Sequence, residues 1–375
     1  MDASRAGVMD TGCKTSINKV QTEENMRAYA VQCFCEPVVP VERVDHRPAG
    51  TEVVVEVMRC GVCHTDLHLQ DGYYDLGGGK RLNLVDRGIN PPVILGHEVL
   101  GRLVSKGPDA PLDDGAIGKA FLIYPWLGCG TCDMCLRGDE NLCGKPQSIG
   151  VFRPGGYAEQ CVVPHPKYLI DVSGIEPTLA ATYACSGLTA YSALRKVDID
   201  KERDLLLLMG LGGVGLSGLQ IAMGLGFRRI AVADIDPAKR ELALGHGATL
   251  VFDPRDADAS AQLAAAGGVA AAVDFVGNKA TADFAVASLR KGGMCIVVGL
   301  FGGDITISLP PLVQRAITLR GSFVGSLDEL KELIALVKSG NIQPLPVEEV
   351  PFDAVNDALA RLRAGHVKGR LVLAR

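Results

Sequence analysis

Asp204-Leu-Leu-Leu-Leu-Met-Gly-Leu-Gly-Gly-Val-Gly215 runs an apolar segment directly into glycines spaced G-x-G-x-x-G. A buried parallel strand, a tight turn and a helix have this form, and the helix is expected to continue through Ser217, Gln220 and Met223. In such a turn Gly210 allows the sharp reversal, Gly212 lets a pyrophosphate approach the backbone, and Gly215 lets helix pack on strand. Gly213 and Val214 lie in the same loop and complete the expected dinucleotide contacts. In a chain with 45 glycines the spacing alone is weak, so the flanking strand and helix carry the inference. At the end of the next apolar segment stands Asp234, in Val232-Ala-Asp-Ile-Asp236. A carboxylate there accepts hydrogen bonds from both hydroxyls of an adenosine ribose and repels a 2′-phosphate, which predicts NAD rather than NADP.

Working outward, Arg229-Ile-Ala-Val-Ala233, Thr249-Leu-Val-Phe252, Ala271-Ala-Val-Asp-Phe275 and Met294-Cys-Ile-Val-Val298 alternate with helical stretches. This predicts a Rossmann unit over residues 187–324, a doubly wound parallel sheet with helices on both faces. Residues 26–186 read differently, as short strands such as Glu52–Met58 and Gln160–Val163 punctuated by Gly and Pro turns. They predict an irregular, barrel-like β-rich domain. The amphipathic run Ser326–Lys338 brings the chain back, so residues 325–375 are assigned to that first domain. Residues 1–25 are polar and lack an apolar core, and are expected to be a flexible N-terminal extension rather than a signal peptide. The fold class is therefore α/β with two domains.

At 375 residues, with 47% hydrophobic and 22% charged residues, the chain can build two cores. A net charge of -5 without a long basic run argues against nucleic acid or an anionic membrane as partner and leaves a small molecule as the expected one. Leu205–Phe227 is uncharged and long enough to span a bilayer, but its glycines split it into strand, turn and helix, so no membrane span is expected. A cytoplasmic location follows as the expectation.

Cys129, Cys132, Cys135 and Cys143 form a C-x2-C-x2-C-x7-C run among turn formers and charges. Four thiolates so spaced can close a tetrahedral shell around one Zn²⁺ and hold together a lobe too polar for its own core. A disulfide pair is the alternative, disfavoured in a chain with no mark of secretion. A closed four-sulfur shell leaves no position for substrate, so this zinc is expected to be structural. Of the twelve cysteines, Cys13, Cys33, Cys35, Cys161 and Cys295 have no metal-like partners in sequence and are assigned no function.

Two more fragments have metal character, Cys60-Gly-Val-Cys-His-Thr-Asp-Leu-His68 and Gly96-His-Glu98. A Cys-x-x-Cys also suits a redox pair, but no thioredoxin-like βαβ unit begins here. With the cysteine lobe and the glycine turn, in this order, the chain resembles the zinc-dependent medium-chain alcohol dehydrogenases over nearly everything after Met26. The resemblance implies a GroES-like first domain and a catalytic zinc held by Cys63, His97 and Cys185, the last from Cys185-Ser-Gly-Leu-Thr-Ala-Tyr191. It leaves Cys60 a spectator and a fourth position open. It also implies that Asp66 orients His97 and that Glu98 lies close enough to the metal to assist ligand exchange.

By the same resemblance, Thr65 receives the alcohol proton and His68 passes it to solvent, a solvated surface histidine being the alternative for His68. His64 would sit by the pyrophosphate and Lys239 by the adenosine ribose. Trp126 and Tyr74 fall where the family lines its substrate cleft, although core packing suits each as well. The connection 75–88 is longer than usual and lies at the cleft mouth. The implied function is reversible NAD-dependent oxidation of a primary or secondary alcohol, with two Zn²⁺ per chain. The alternatives are a polyol, cyclic or thioester-bound hydroxy substrate, or a catalytically silent nucleotide-binding relative. The segment Ile317–Phe323 suggests subunit pairing into a homodimer or homotetramer.

Overall fold

The computed structural model describes residues 25–375; residues 1–24, which hold nearly all of the expected extension and Cys13, lie outside the described residues. The glycine-spaced turn follows the strand Leu205–Met209, at the centre of a six-stranded sheet. The sheet runs Leu250–Phe252, Arg229–Ala233, Leu205–Met209, Val269–Asp274, Leu289–Val297, Thr318–Gly321, with every neighbouring pair parallel. All five residues of Leu205–Met209 are buried, because helices cover both faces of the sheet and no polar alternation is needed. Strand order reverses between Leu205–Met209 and Val269–Asp274, and at such a switch point a crevice opens beyond the carboxyl ends. The four positions of the edge strand Thr318–Gly321 are all exposed. The charge-free stretch divides as expected into Leu205–Met209 and the helix Gly213–Gly224. No helix among the described residues is long and apolar enough to cross a membrane.

The first lobe is organised by one long strand, Val53–Gly61. It pairs antiparallel with Glu98–Lys106 along its length, with Gln160–Val163 over its first half, and with Arg370–Ala374 at its last three residues. Ala120–Ile123 and Leu169–Asp171 extend the sheet on one side, and Val347–Pro351 on the other. The end of the chain thus completes the sheet that its beginning starts. A three-stranded sheet of Val39–Val44, Asn25–Val31 and Val93–Ile94 packs beside it.

Register decides where the chemistry falls. Gly61 pairs with Glu98 and Cys60 with Val99, so the residues just beyond these strand ends, Cys63 and His97, are brought together. The third element is the connection between the sheets: the helix Pro177–Thr182, a π-helical turn Tyr183–Gly187 and the helix Leu188–Arg195. A single π turn inside a helix re-aims one side chain and is frequent at functional sites; here it carries Cys185. The helix Leu327–Lys338 starts with a Ser326–Glu329 capping box and packs on this connection, and Lys338 pairs with Asp171 of the first sheet at 2.8 Å.

Candidate active site

Cys63 is the N-cap of the helix His64–Asp71, and its own backbone N–H is capped by Asp66 Oδ2 at 2.9 Å. That arrangement fixes the thiol at the helix start and buries Asp66. The Asp66 carboxylate also accepts from Gly96 N at 3.2 Å and Tyr157 Oη at 3.1 Å, and its Oδ1 lies 3.4 Å from His97 Nδ1. One buried acid therefore holds the loop of one ligand and the ring of another, the supporting role that metal-binding histidines require. Gly96 has φ +90°, and a methyl group there would meet Cys60 Sγ at 2.8 Å. Cys60 is thus packing, outside the ligand cluster.

Cys63, His97, Glu98 and Cys185 are all buried, and their ligand atoms lie within 4.8 Å of one another. The sulfurs of Cys63 and Cys185 are 3.9 Å apart; two Zn–S bonds of about 2.3 Å at a tetrahedral angle give about 3.8 Å. His97 is fully buried, yet neither ring nitrogen makes a hydrogen bond: Nδ1 lies beside Asp66 at 3.4 Å and Nε2 has no partner. A buried orphan nitrogen is costly unless something coordinates it, so these three residues fit a zinc ion. The electrostatics agree: hydrogen bonding to Cys185 holds the Cys63 thiol well below its usual value, and Cys185 is raised in turn. Burial alone would lower His97, but the Asp66 charge outweighs it and holds the ring well above the ordinary histidine range. Such a pocket favours positive charge.

Glu98 is differently placed. Its Oε1 accepts from Ser186 N at 3.1 Å and its Oε2 pairs with Arg370, so both oxygens are already held by the protein. Burial raises this carboxyl to about 7 despite the guanidinium. A methyl group at Gly61 would overlap Glu98 Oε2, which explains the glycine opposite it.

Thr65 Oγ1 lies 3.8 Å from Cys63 Sγ, and His68 follows one turn later on the same helix. Burial pushes the His68 ring below the usual histidine value, and the ring lies 4.7 Å from that of Tyr74. Burial raises the Tyr74 phenol, against the opposing charge of Arg87. Trp126 is buried with its ring 5.3 Å from that of His97, and its Nε1 donates to Ala184 O at 3.1 Å. The long connection forms a small hairpin, Tyr73–Asp75 with Arg81–Asn83, whose Asp75 carbonyl accepts from Gly303 N at 3.3 Å. It bridges the two lobes.

In the glycine turn Gly210 has φ +84°, a methyl at Gly215 would strike Gly210 O, and the space over Gly212 is open. The helix Gly213–Gly224 opens with Gly213 and Val214, leaving amide N–H groups at its N-terminus for an anion. Asp234 Oδ2 accepts from Leu211 N at 2.6 Å and Oδ1 from Asp236 N at 2.9 Å, so the carboxylate is tied to the turn. Lys239 is half-buried and His64 is exposed.

Two further buried side chains carry unpartnered polar atoms near these elements, and neither was assigned a role from the sequence. Arg370 is 4% exposed; its Cδ lies against Gly213 and its Nε has no partner. Thr189 Oγ1, one turn beyond Cys185, is likewise buried and unpartnered. No local motif marks Arg370, whereas Thr189 lies within the segment Cys185–Tyr191 without any role read for it there.

The second cluster, Cys129, Cys132, Cys135 and Cys143, is only partly buried. Its sulfurs approach at 3.6 Å (Cys132–Cys135), 3.7 Å (Cys132–Cys143) and 3.9 Å (Cys129–Cys135), again the spacing of thiolates around one ion. Hydrogen bonding from Thr131 lowers the Cys129 thiol to about 5, whereas burial raises Cys135 to about 12. The lobe is pinned through Glu140, which takes Gly128 N at 3.2 Å, Lys167 Nζ at 2.7 Å and Tyr168 Oη at 2.6 Å.

Residues 49–174 match the model of the alcohol dehydrogenase GroES-like domain, and residues 213–339 that of the zinc-binding dehydrogenases. An NAD-dependent alcohol dehydrogenase of Saccharolobus solfataricus is 31% identical over 93% of this chain and 99% of its own. An alcohol dehydrogenase of Geobacillus stearothermophilus is 34% identical over the same shares. The solved structure of acetophenone reductase from Geotrichum candidum in complex with NAD superimposes with a TM-score of 0.81 at 28% identity, covering 95% of this chain and 99% of that one. With these matches spanning both lobes, the chain belongs to the zinc-dependent medium-chain alcohol dehydrogenase family.

Proposed function

We propose that this family member catalyses the reversible NAD-dependent oxidation of a primary or secondary alcohol to an aldehyde or ketone. The observation that carries the reading is the convergence of Cys63, His97 and Cys185 in one buried cluster with His97 Nε2 left unpaired. Residues 187–324 form the NAD-binding unit, and residues 26–186 with 325–375 the catalytic one.

A zinc ion held by Cys63, His97 and Cys185 supplies Lewis acidity toward an alcohol or carbonyl oxygen, and NAD supplies the hydride acceptor. Asp66 holds the His97 ring so that Nε2 faces the cluster. Thr65 Oγ1 accepts the substrate hydroxyl proton and His68 takes it onward. Burial favours the neutral His68 ring, which is the form able to accept a proton at neutral pH. Trp126 and Tyr74 wall the cleft against water. On the nucleotide side, the amides after Gly212, with Arg370 and His64, meet the pyrophosphate, while Asp234 and Lys239 meet the adenosine ribose. Cys129, Cys132, Cys135 and Cys143 hold a second, structural zinc.

The exposed edge strand Thr318–Gly321 and the exposed Leu309, Val313 and Phe323 support pairing of subunits into a dimer or tetramer. The free thiols of the described residues suit a reducing cytoplasm. A cofactor-reduction assay over a panel of alcohols tests the reading. Turnover with simple alcohols supports it, activity confined to polyols or cyclic or thioester-bound hydroxy compounds moves the substrate class, and no zinc-dependent turnover at all returns the catalytically silent alternative.

A further inference from the structure

We propose that Asp253 determines dinucleotide specificity together with Asp234, by pairing with Arg255 and Arg240 so that neither is free to bind a 2′-phosphate. The inference rests on the dinucleotide reading above. Phe252 pairs in register with Ala233, and Asp234 N donates to Phe252 O at 3.3 Å, so Asp234 and Asp253 leave neighbouring strand ends side by side. Two arginines converge on the turn between them. Arg255 grips the Asp253 carboxylate with both arms of its fork, Nε to Oδ1 at 2.9 Å and Nη2 to Oδ2 at 2.6 Å. Arg240 Nη1 reaches Asp253 Oδ2 at 3.3 Å and donates to Asp234 O at 2.6 Å. Arg255 Nη2 also lies 3.4 Å from Ile235 O.

The segment from Asp234 to Lys239 carries no arginine. The fold brings one arginine from the next position and another from the adjacent strand end. Guanidinium groups are the side chains best shaped to bind phosphate in a fork, and two beside the ribose would attract NADP unless their charge were countered. Neither arginine pairs with the Asp234 carboxylate, whose oxygens accept from Leu211 N and Asp236 N. Asp253 supplies the counter-charge: it is 7% exposed, and its carboxyl is held well below the usual range by hydrogen bonds from Arg255 first and the charge of Arg240 last. Its two partners differ in freedom. The Arg255 side chain is 67% exposed and can swing toward a phosphate once released, whereas Arg240, at 21%, is more confined.

The test uses the full-length, zinc-loaded protein and calorimetric titration with two adenosine fragments, 5′-AMP and 2′,5′-ADP, so no turnover is needed. Wild type is expected to prefer 5′-AMP. Asp253→Asn keeps the shape and removes the charge; it should bind 2′,5′-ADP about tenfold more tightly, with 5′-AMP unchanged within about twofold. Asp253→Asn/Arg255→Gln should lose that gain. An unchanged ratio of the two affinities in Asp253→Asn overturns the proposal. Should that variant not fold, Arg255→Gln alone decides: unchanged 2′,5′-ADP affinity supports an arginine already neutralised, and a several-fold loss shows that it contacts the phosphate and overturns the proposal. A wild type that binds neither fragment overturns the dinucleotide reading and this inference with it, an outcome separate from a binding site whose preference Asp253 does not control.

Discussion

The two sulfur clusters use the same ligand chemistry in opposite settings. Cys63, His97 and Cys185 come from three distant parts of the chain and are buried, whereas Cys129, Cys132, Cys135 and Cys143 come from one short segment and are mostly half-exposed. The first cluster sits in a core that exists without it: its ligands stand on paired strands and a long helical connection, with Asp66, Tyr157 and Ser186 bonded around them. The second has almost no core. Leu136 and Leu142 of its lobe are 74% and 52% exposed, so the sulfur shell replaces apolar packing. On the proposed reading, burial of the ligands separates a metal that would perform chemistry from a metal that would hold a fold.

The sharpest way to break this comparison is to remove one ligand from each cluster. Cys185→Ser should lower kcat by about 10³-fold or more, while its melting temperature by circular dichroism stays within about 5 °C of wild type. Cys135→Ser should do the reverse, lowering the melting temperature by about 10 °C or more and leaving kcat of the folded fraction within about threefold. Equal thermal losses in the two variants would show that burial does not separate the roles.

Smaller effects sharpen the account of the open site. Asp234→Gly should lower the ratio of kcat/KM for NAD over NADP by about 100-fold, as ribose hydrogen bonds and phosphate repulsion are lost together. A ratio left at the wild-type value would place the ribose elsewhere. His68→Gln should slow alcohol oxidation by about tenfold and be partly rescued by small added bases. The sign of the pH effect follows from burial, which places the His68 pKa below the ordinary value. Wild-type oxidation should fall as pH drops through that lowered pKa and protonates the relay, and this inflection should vanish in the variant. An unchanged pH profile would make His68 a surface histidine.

The glycine turn Gly210 to Gly215 was legible from its own strand–turn–helix pattern, whereas Cys63, His97 and Cys185 were legible only through the family resemblance of the motifs that carry them, since each fragment alone is ambiguous. Arg370 could not be read, because nothing beside it in sequence says that a glycine turn lies across from it. The π-helical turn that aims Cys185 has no periodicity of its own, and the edge strand Thr318–Gly321 lacks an apolar run because both its faces are exposed. Strand ends differ for a related reason: the expected Met294–Val298 overlaps the far half of Leu289–Val297, in which Arg290, Lys291 and Gly292 are exposed. The pair Arg240 and Arg255 is a case where a segment read alone gave an incomplete charge balance.

The central claim, two zinc ions with separate duties, is tested most directly by the zinc content of freshly purified protein. Elemental analysis should give two zinc ions per chain in wild type. Cys185→Ser should lose one of them while remaining folded. One zinc or none per wild-type chain, or a folded Cys185→Ser that retains both, would contradict the account.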